Sequence, residues 1–344
     1  MQTVYLHVGN YKTGTTSLQN FFDLNRAQLL RHGVLFPESC YMQDWRPGLS
    51  LGHSLFSREL LGQCSGEIEK LDAEIDSYGD RIERVIISSE NLFRASETSA
   101  DAARAALSRF DVKVVCYLPR QDELVNSLFH EFVSSGWERL PIGPDQFLQQ
   151  GAELLSPLTD FYGNLMHWAR AFGRENVIVR VYEEGQLHAN DSVADFLQLL
   201  QLDGIDDLQD LSEEYTRVSM PSEVVAALLP INRIPLPLGV YRAALFVFCR
   251  DFLPKYRNLP KLSFFSPLTR RDILQDFHES NMKVAKEFLG RNDGRLFFTS
   301  PPEEDDPWEP VQVRDAQLVE DLWKVFLAAA AKHVQLNDES SAPT

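Results

Sequence analysis

Residues 4–22 constrain the fold of this chain more than any other stretch, because they combine an apolar run, a glycine turn and a helical pattern. The run 4–8 is short and apolar, as is typical of a buried strand. Gly9 and Gly14 free the backbone for a tight turn, and the apolar residues that follow have helical spacing. A turn of this kind directs backbone N–H groups, a helix N-terminus and the side chain of Lys12 at one place. The stretch therefore predicts an anion site, most naturally for phosphate. The alternative is a plain Gly/Thr-rich turn with an exposed lysine.

The order of residues in this turn distinguishes it from the P-loop that binds nucleoside triphosphates. That motif reads G-x-x-x-x-G-K-[ST], with the lysine after the second glycine. Here Lys12 precedes Gly14, and hydroxyl residues follow. The segment Lys-Thr-Gly-Thr-Thr resembles the 5′-phosphosulfate loop of sulfotransferases that use 3′-phosphoadenosine 5′-phosphosulfate (PAPS). The resemblance covers roughly residues 3–200. It implies that the donor is bound by Lys12, Thr13, Gly14, Thr15, Thr16 and Ser17.

The alternation of apolar runs with helical patterns predicts an α/β fold with a parallel sheet. Strands are predicted at 4–8, 33–37, 84–90, 112–118 and 176–183. Helices are predicted near 53–62, 66–79, 99–110, 160–172 and 192–202. From about residue 213 the pattern shows only helix and loop, including one long helix over 268–289 and a last helix over 315–334. We predict a P-loop-like three-layer fold, in which helices flank a parallel sheet and a C-terminal helical cap is added. Its regions are a PAPS-binding core (1–212), a helical region packed on the core (213–335) and a disordered tail (336–344).

Composition narrows the range of partners. With 344 residues and 44% hydrophobic content, the chain can bury a sizeable core. A net charge of −17 argues against nucleic acid or an anionic membrane as the main partner. The four cysteines show no CxxC spacing, so we expect reduced thiols and no metal. No signal peptide or membrane-spanning run is visible, which together with the resemblance suggests a cytoplasmic bacterial enzyme. The apolar run 243–248 is expected to be a buried helix, with contact to a lipid as the alternative.

Candidate groups follow three of the predicted strands. Ligands of parallel sheets bind at the carboxyl ends of strands. The Lys12 loop, Glu90, and Arg120 with Ser127 all lie at such ends. In the family that the loop resembles, an arginine after a strand and a serine on the next helix hold the 3′-phosphate. The resemblance implies these roles for Arg120 and Ser127.

The spacing of this arginine and serine departs from the family pattern. There the arginine usually lies eight residues before the serine, a position that Pro119 occupies here, whereas Arg120 lies seven before. Arg120 could act through a shifted turn, or another basic group such as Arg291 or Arg295 could take its place. A surface ion pair is the alternative interpretation of Arg120.

The acceptor hydroxyl needs a general base, and two residues are candidates. Glu90 follows an apolar strand, where partial burial would raise its pKa toward a useful range. Carbohydrate sulfotransferases of the resembled superfamily use a glutamate, whereas the cytosolic phenol and steroid enzymes use a histidine. His53 is therefore the rival base. Structural alternatives are a Glu90 that accepts backbone N–H bonds and a His53 that is bonded locally or contacts the acceptor.

The predicted function is sulfuryl transfer from PAPS to an acceptor hydroxyl, most naturally on a carbohydrate or glycoconjugate, leaving 3′-phosphoadenosine 5′-phosphate (PAP). Lys12 would stabilise charge on the leaving phosphate, and no metal is required. Two rivals remain: a P-loop kinase or nucleotide hydrolase, and an inactive protein that binds PAPS or PAP. The acceptor is not identified by the loops predicted at 38–53 and 136–157.

Overall fold

A computed structural model of the chain describes residues 1–43, 50–210 and 220–341, without the side chains of 152–154 and 336–341. The chain divides into two compact units. The sheet unit comprises Met1–Leu124, Leu154–Arg217 and Ile273–Pro301, and the helical unit comprises Val125–Glu153, Val218–Asp272 and Pro302–Thr344. The boundary predicted after residue 212 lies outside the described residues, as do residues 342–344 of the predicted tail. The three-part division by sequence stays a prediction.

The sheet unit is built on five parallel strands, and this confirms the predicted α/β class. The strands are β1 Thr3–His7, β2 Val34–Leu35, β3 Arg84–Ser88, β4 Asp111–Leu118 and β5 Val177–Val181. Their order across the sheet is β2-β3-β1-β4-β5. Val4 of β1 lies opposite Val85 on one side and Val112 on the other. After β1 the chain passes to the side of the sheet that holds β2 and β3, and after β4 it passes to the opposite side, which holds β5. The turn after β1 therefore lies at a switch point, where such sheets bind ligands.

Helices occupy most of the remaining chain. The first ten are α1 Thr15–Leu24, α2 Arg26–Arg31, α3 Ser54–Leu60, α4 Glu67–Tyr78, α5 Glu97–Ala106, α6 Gln121–Ser134, α7 Pro144–Gln150, α8 Ala152–Thr159, α9 Phe161–Phe172 and α10 Ser192–Leu199. The others are α11 Ser222–Asn232, α12 Leu238–Asp251, α13 Leu253–Tyr256, α14 Pro267–Asp276, α15 His278–Leu289 and α16 Ala316–Ser341. Short 3₁₀ turns lie at Gly79–Arg81, Glu90–Leu92, Arg174–Asn176 and His188–Asn190.

Two sequence-based expectations about helices are wrong. The single helix predicted over 268–289 is two helices, α14 and α15, because the backbone at Phe277 leaves the helical region with φ −99° and ψ 4°. No glycine or proline marks this break. The loop predicted at 136–157 contains α7 and most of α8. The last helix, predicted over 315–334, is present as α16 and extends to Ser341. The disorder of the tail stays a prediction.

Aromatic side chains of α1, α10 and β4 form a core beside the turn that follows β1. Phe22 of α1 and Phe196 of α10 are fully buried, and their ring centroids are 5.2 Å apart. Tyr117 of β4 packs against Phe196, and its hydroxyl donates to the carboxylate of Asp195 at 2.8 Å. Each buried aromatic ring contributes about 1.5–3 kcal/mol. This packing fixes α1 and α10 on the sheet.

The helical unit has its own core around Tyr241 of α12. This side chain is fully buried, and its ring lies 5.1 Å from that of Phe326 of α16. Its hydroxyl donates to the side-chain oxygen of Asn232 at 2.5 Å. The apolar run 243–248 belongs to α12, where Ala244, Leu245 and Phe248 are buried. Among the residues that the structure describes, none of the helices has the length and apolar character needed to cross a bilayer.

Candidate active site

The turn between β1 and α1 is a strained loop that is stabilised by a hydrogen bond within the loop. Gly9, Lys12 and Gly14 have φ values of 55°, 66° and 76°, all in the left-handed region. For a residue with a side chain, such as Lys12, this conformation costs about 1–2 kcal/mol. The hydroxyl of Thr13 donates to the carbonyl of Asn10 at 2.8 Å and helps to hold the loop closed. Strain that is held in this way is frequent at ligand-binding turns.

The start of α1 presents backbone donors toward this loop. Its N-cap is Gly14, which has no side chain to accept hydrogen bonds from the first turn. The first helical residues, Thr15, Thr16 and Ser17, therefore contribute N–H groups without intrahelical partners, at the positive end of the helix dipole. Thr16 and Ser17 are half-buried, and Lys12 immediately precedes this end. The arrangement suits an anionic ligand.

A second helix begins beside Gly14. A Cβ atom at this glycine would lie 2.5 Å from the hydroxyl oxygen of Ser192 and 3.5 Å from that of Tyr182. Ser192 opens α10, and the side chain of Asp191 caps that helix by accepting the N–H of Ala194 at 2.8 Å. Position 14 therefore requires glycine both for its backbone and for space. Sequence reasoning missed Ser192 and Tyr182 as neighbours of the loop.

Glu90 lies directly against the loop. It is half-buried and opens the 3₁₀ turn after β3. A Cβ atom at Gly9 would lie 3.4 Å from the Cα atom of Glu90 and 3.5 Å from its Cγ atom. The structure thus brings together the candidate carboxylate and the Lys12 loop, because they follow the carboxyl ends of the neighbouring parallel strands β3 and β1.

His53 is buried inside the sheet unit with both ring nitrogens engaged. Its Nδ1 atom accepts the backbone N–H of Ser88 at 3.0 Å, and its Nε2 atom lies 3.0 Å from the carbonyl oxygen of Pro37. Because an amide N–H only donates and a carbonyl only accepts, the proton lies on Nε2. The side chain has no exposed surface, and burial lowers its pKa to about 3. The ring is a neutral structural element and has no nitrogen lone pair left for an acceptor proton.

A second buried histidine contacts the same end of β3. Nδ1 of His7 lies 2.9 Å from the hydroxyl oxygen of Ser88, to which the side-chain amide of Gln19 also donates, at 3.1 Å. Burial lowers the pKa of His7 to about 3. Ser88, two residues before Glu90, therefore bonds to three buried side chains: His7 and Gln19 through its hydroxyl, and His53 through its backbone N–H.

Arg120 follows β4 and is only 6% exposed. Its Nε and Nη2 atoms donate to the two carboxylate oxygens of Asp122, at 2.7 and 3.0 Å, and Nη1 donates to the carbonyl of Ser300 at 3.1 Å. The carboxylate of Glu123 lies 3.5 Å away. The guanidinium is thus paired with a fully buried carboxylate and is not on the open surface. Ser127 is half-buried on α6.

The two alternative arginines are held by main-chain oxygens. Arg291 donates to the carbonyls of Arg295 and Leu296 at 3.1 and 2.9 Å, and to the side chain of Gln186 at 2.6 Å. Burial lowers the pKa of Arg291. Arg295 donates to the carbonyl of Phe298 at 3.0 Å. Within the described ranges, no group of three or more His, Cys, Asp or Glu side chains is arranged to hold a metal ion.

Comparison with known proteins gives a sequence relative and a structural neighbour. An uncharacterized protein of Archaeoglobus fulgidus is 27% identical over 208 residues, which are 60% of this chain and 54% of the relative. The match thus spans about half of the relative's length. A crystal structure of a sulfotransferase from Alicyclobacillus acidocaldarius aligns with a TM-score of 0.39 and 16% identity, over 72% of this chain and 96% of that one. No family model matches the chain. Function is therefore inferred from the residues of the site.

Proposed function

We propose that this chain is a sulfotransferase that moves a sulfuryl group from PAPS to an acceptor hydroxyl, with a carbohydrate or glycoconjugate as the acceptor class. One observation carries the proposal. Glu90 packs on Gly9 of a strained, lysine-bearing loop, at the central strands of a parallel sheet. An anion-binding turn and a candidate general base thereby share one place.

The loop fits the phosphosulfate end of the donor. Lys12 supplies a positive charge, and the first turn of α1 supplies N–H donors beside a glycine cap. The hydroxyls of Thr16 and Ser17 add donors at the same turn. The hydroxyl of Thr13 is already bonded to the carbonyl of Asn10, so we assign Thr13 to loop shape and its N–H to the ligand.

The chemistry asks for positioning and charge stabilisation more than for covalent work. PAPS, when bound, supplies the sulfuryl group and departs as PAP. Glu90 takes the proton of the acceptor hydroxyl while that oxygen bonds to sulfur and the bond from sulfur to the phosphate oxygen breaks. Lys12 stabilises the negative charge that develops on the phosphate side.

We assign the base to Glu90 and not to His53. Both nitrogens of His53 are engaged by main-chain groups, and its pKa of about 3 keeps the ring neutral. Glu90 is half-buried beside the loop, where a proton acceptor is needed.

Recognition of the 3′-phosphate by Arg120 and Ser127 is a separate proposal. The Arg120 guanidinium is paired with Asp122, so a phosphate would have to share it with that carboxylate or displace it. We expect Arg120→Ala to weaken the binding of PAP far more than that of adenosine 5′-phosphate, because only PAP carries the 3′-phosphate. Equal losses for the two ligands would contradict this role and would favour Arg291 or Arg295.

A ligand panel tests the donor. We expect PAP to stabilise the fold without Mg²⁺, by about 2.7 kcal/mol at a hundredfold excess over its dissociation constant. Lys12→Ala is the matched control for this stabilisation by PAP, because it removes one positive charge from the loop. Radiolabelled PAPS with a panel of hydroxyl acceptors then tests the transfer. Stabilisation by ATP with Mg²⁺ and none by PAP would support a kinase. PAP binding without transfer to any acceptor would support an inactive binding protein.

A further inference from the structure

We propose that His53 is a positioning residue, whose neutral imidazole clamps the end of β3 and thereby holds Glu90 in place. The inference rests on the proposed role of Glu90 as the base. It gives the buried Gly52-His53 pair a function that is distinct from proton transfer.

The clamp binds the last part of β3, which extends beyond the end of β2. β2 is short and pairs with β3 through Val34 and Leu35, opposite Arg84 and Val85. Ser88, the last residue of β3, lies beyond the end of β2. There the backbone N–H of His53 donates to the carbonyl of Ser88 at 2.7 Å, and the N–H of Ser88 donates to Nδ1 of His53 at 3.0 Å. One histidine thus satisfies both backbone polar groups of Ser88.

The clamp is anchored on its far side. Nε2 of His53 donates to the carbonyl of Pro37 at 3.0 Å, and the ring packs edge-on against Phe36 with centroids 4.7 Å apart. The preceding residue must be glycine, because a Cβ atom at Gly52 would overlap the carbonyl oxygen of Ser88. The backbone at Gly52 is also left-handed, with φ 56°. The close approach of His53 to β3 therefore depends on glycine at position 52.

The residue between the clamp and the base is held as well. The N–H of Ser89 donates to the carbonyl of His7 in β1 at 3.0 Å, and its hydroxyl donates to that of Ser57 at 3.2 Å. Ser57 lies on α3, whose N-cap is His53. Glu90 thus follows two consecutive residues whose positions are fixed on both sides. A shift of about 1 Å at a reacting group can cost a factor of about 100 in rate, so this support affects turnover directly.

Two substitutions separate the two bonds of the ring. His53→Asn keeps an acceptor, Oδ1, at the position of Nδ1, but cannot reach Pro37. His53→Gln keeps a donor near the position of Nε2, but loses the acceptor for Ser88. Both remove the ring, so they are matched for lost packing. We expect His53→Asn to keep kcat within about 3-fold of the parent, and His53→Gln to lose about 30-fold or more with little change in KM for PAPS.

Two further readouts do not need activity. Amide hydrogen exchange at Ser88 should accelerate at least about tenfold in His53→Gln relative to His53→Asn, because only the former leaves this N–H without its acceptor. The ¹³C carboxyl signal of Glu90, assigned with Glu90→Gln, should move in His53→Gln and stay near the parent position in His53→Asn. If the parent transfers no sulfuryl group, the proposed function fails while these two readouts still decide the positioning role.

The parent protein supplies a measurement that needs no variant. The ¹⁵N signals of the His53 ring should show the proton on Nε2 at pH 5 to 8. A proton on Nδ1, or a titration in this range, would overturn the clamp. Equal effects of His53→Asn and His53→Gln on both exchange and the Glu90 signal would also overturn it.

Discussion

Acidification should destabilise this protein through its two buried histidines, His7 and His53. Neither has exposed surface, and burial lowers the pKa of each from 6.5 to about 3. A histidine with a lowered folded pKa takes up a proton when the chain unfolds. Its contribution to stability is therefore complete above pH 6.5 and is lost as the pH falls from 6.5 toward 3.

The size of this effect follows from linkage. Each proton taken up on unfolding changes the free energy of unfolding by about 1.36 kcal/mol per pH unit. Because the unfolded histidine is already half protonated at pH 6.5, each histidine should cost about 2.3 kcal/mol between pH 6.5 and pH 4.5, and the pair about 5 kcal/mol. Typical domains are stable by only about 5–15 kcal/mol, so the loss is large enough to dominate acid unfolding.

Urea unfolding at several pH values measures this loss. We expect the stability difference between the parent and His53→Asn to shrink by about 2.3 kcal/mol from pH 6.5 to pH 4.5, because the carboxylates that both proteins share cancel in the difference. His7→Asn should behave in the same way. His278→Asn, at an exposed position, is the control for loss of a histidine. Parallel stability curves for the parent and His53→Asn would refute the reasoning.

Three further predictions concern the loop and the base. Lys12→Ala should lower sulfuryl-transfer turnover by about 100-fold or more with an unchanged circular dichroism spectrum, and near-normal turnover would remove Lys12 from the mechanism. Glu90→Gln should lower turnover by about 10² to 10⁴-fold while PAP binding by calorimetry stays within a few-fold, and an active variant would return Glu90 to a structural role. Gly14→Ala should cost about 1–3 kcal/mol in urea unfolding, because its Cβ atom meets Ser192 in a left-handed conformation. The double variant with Ser192→Gly should recover part of that loss, and no recovery would show that backbone strain alone is responsible.

Local patterns in the sequence determined the strands and the left-handed turn after β1. Apolar runs near residues 4, 34, 84, 112 and 177 became the five strands, because buried parallel strands need continuous apolar residues whatever their partners. The turn of Lys12 and Gly14 could be recognised because left-handed backbone and helix capping depend on neighbouring residues. The cap at Asp191 is equally local, because its side chain accepts the N–H of Ala194.

Tertiary structure alone decided what the candidate side chains touch. His53 bonds to Pro37 and Ser88, 16 and 35 residues away, and only the folded chain shows that its ring is closed to a substrate. The partner of Arg120 is two residues away, yet only packing shows that this ion pair is buried. Glu90 meets Gly9 because β1 and β3 are neighbours in the sheet, and strand order depends on the whole core. Local sequence sets backbone preference, whereas burial and long-range hydrogen bonds decide which polar groups stay available for chemistry.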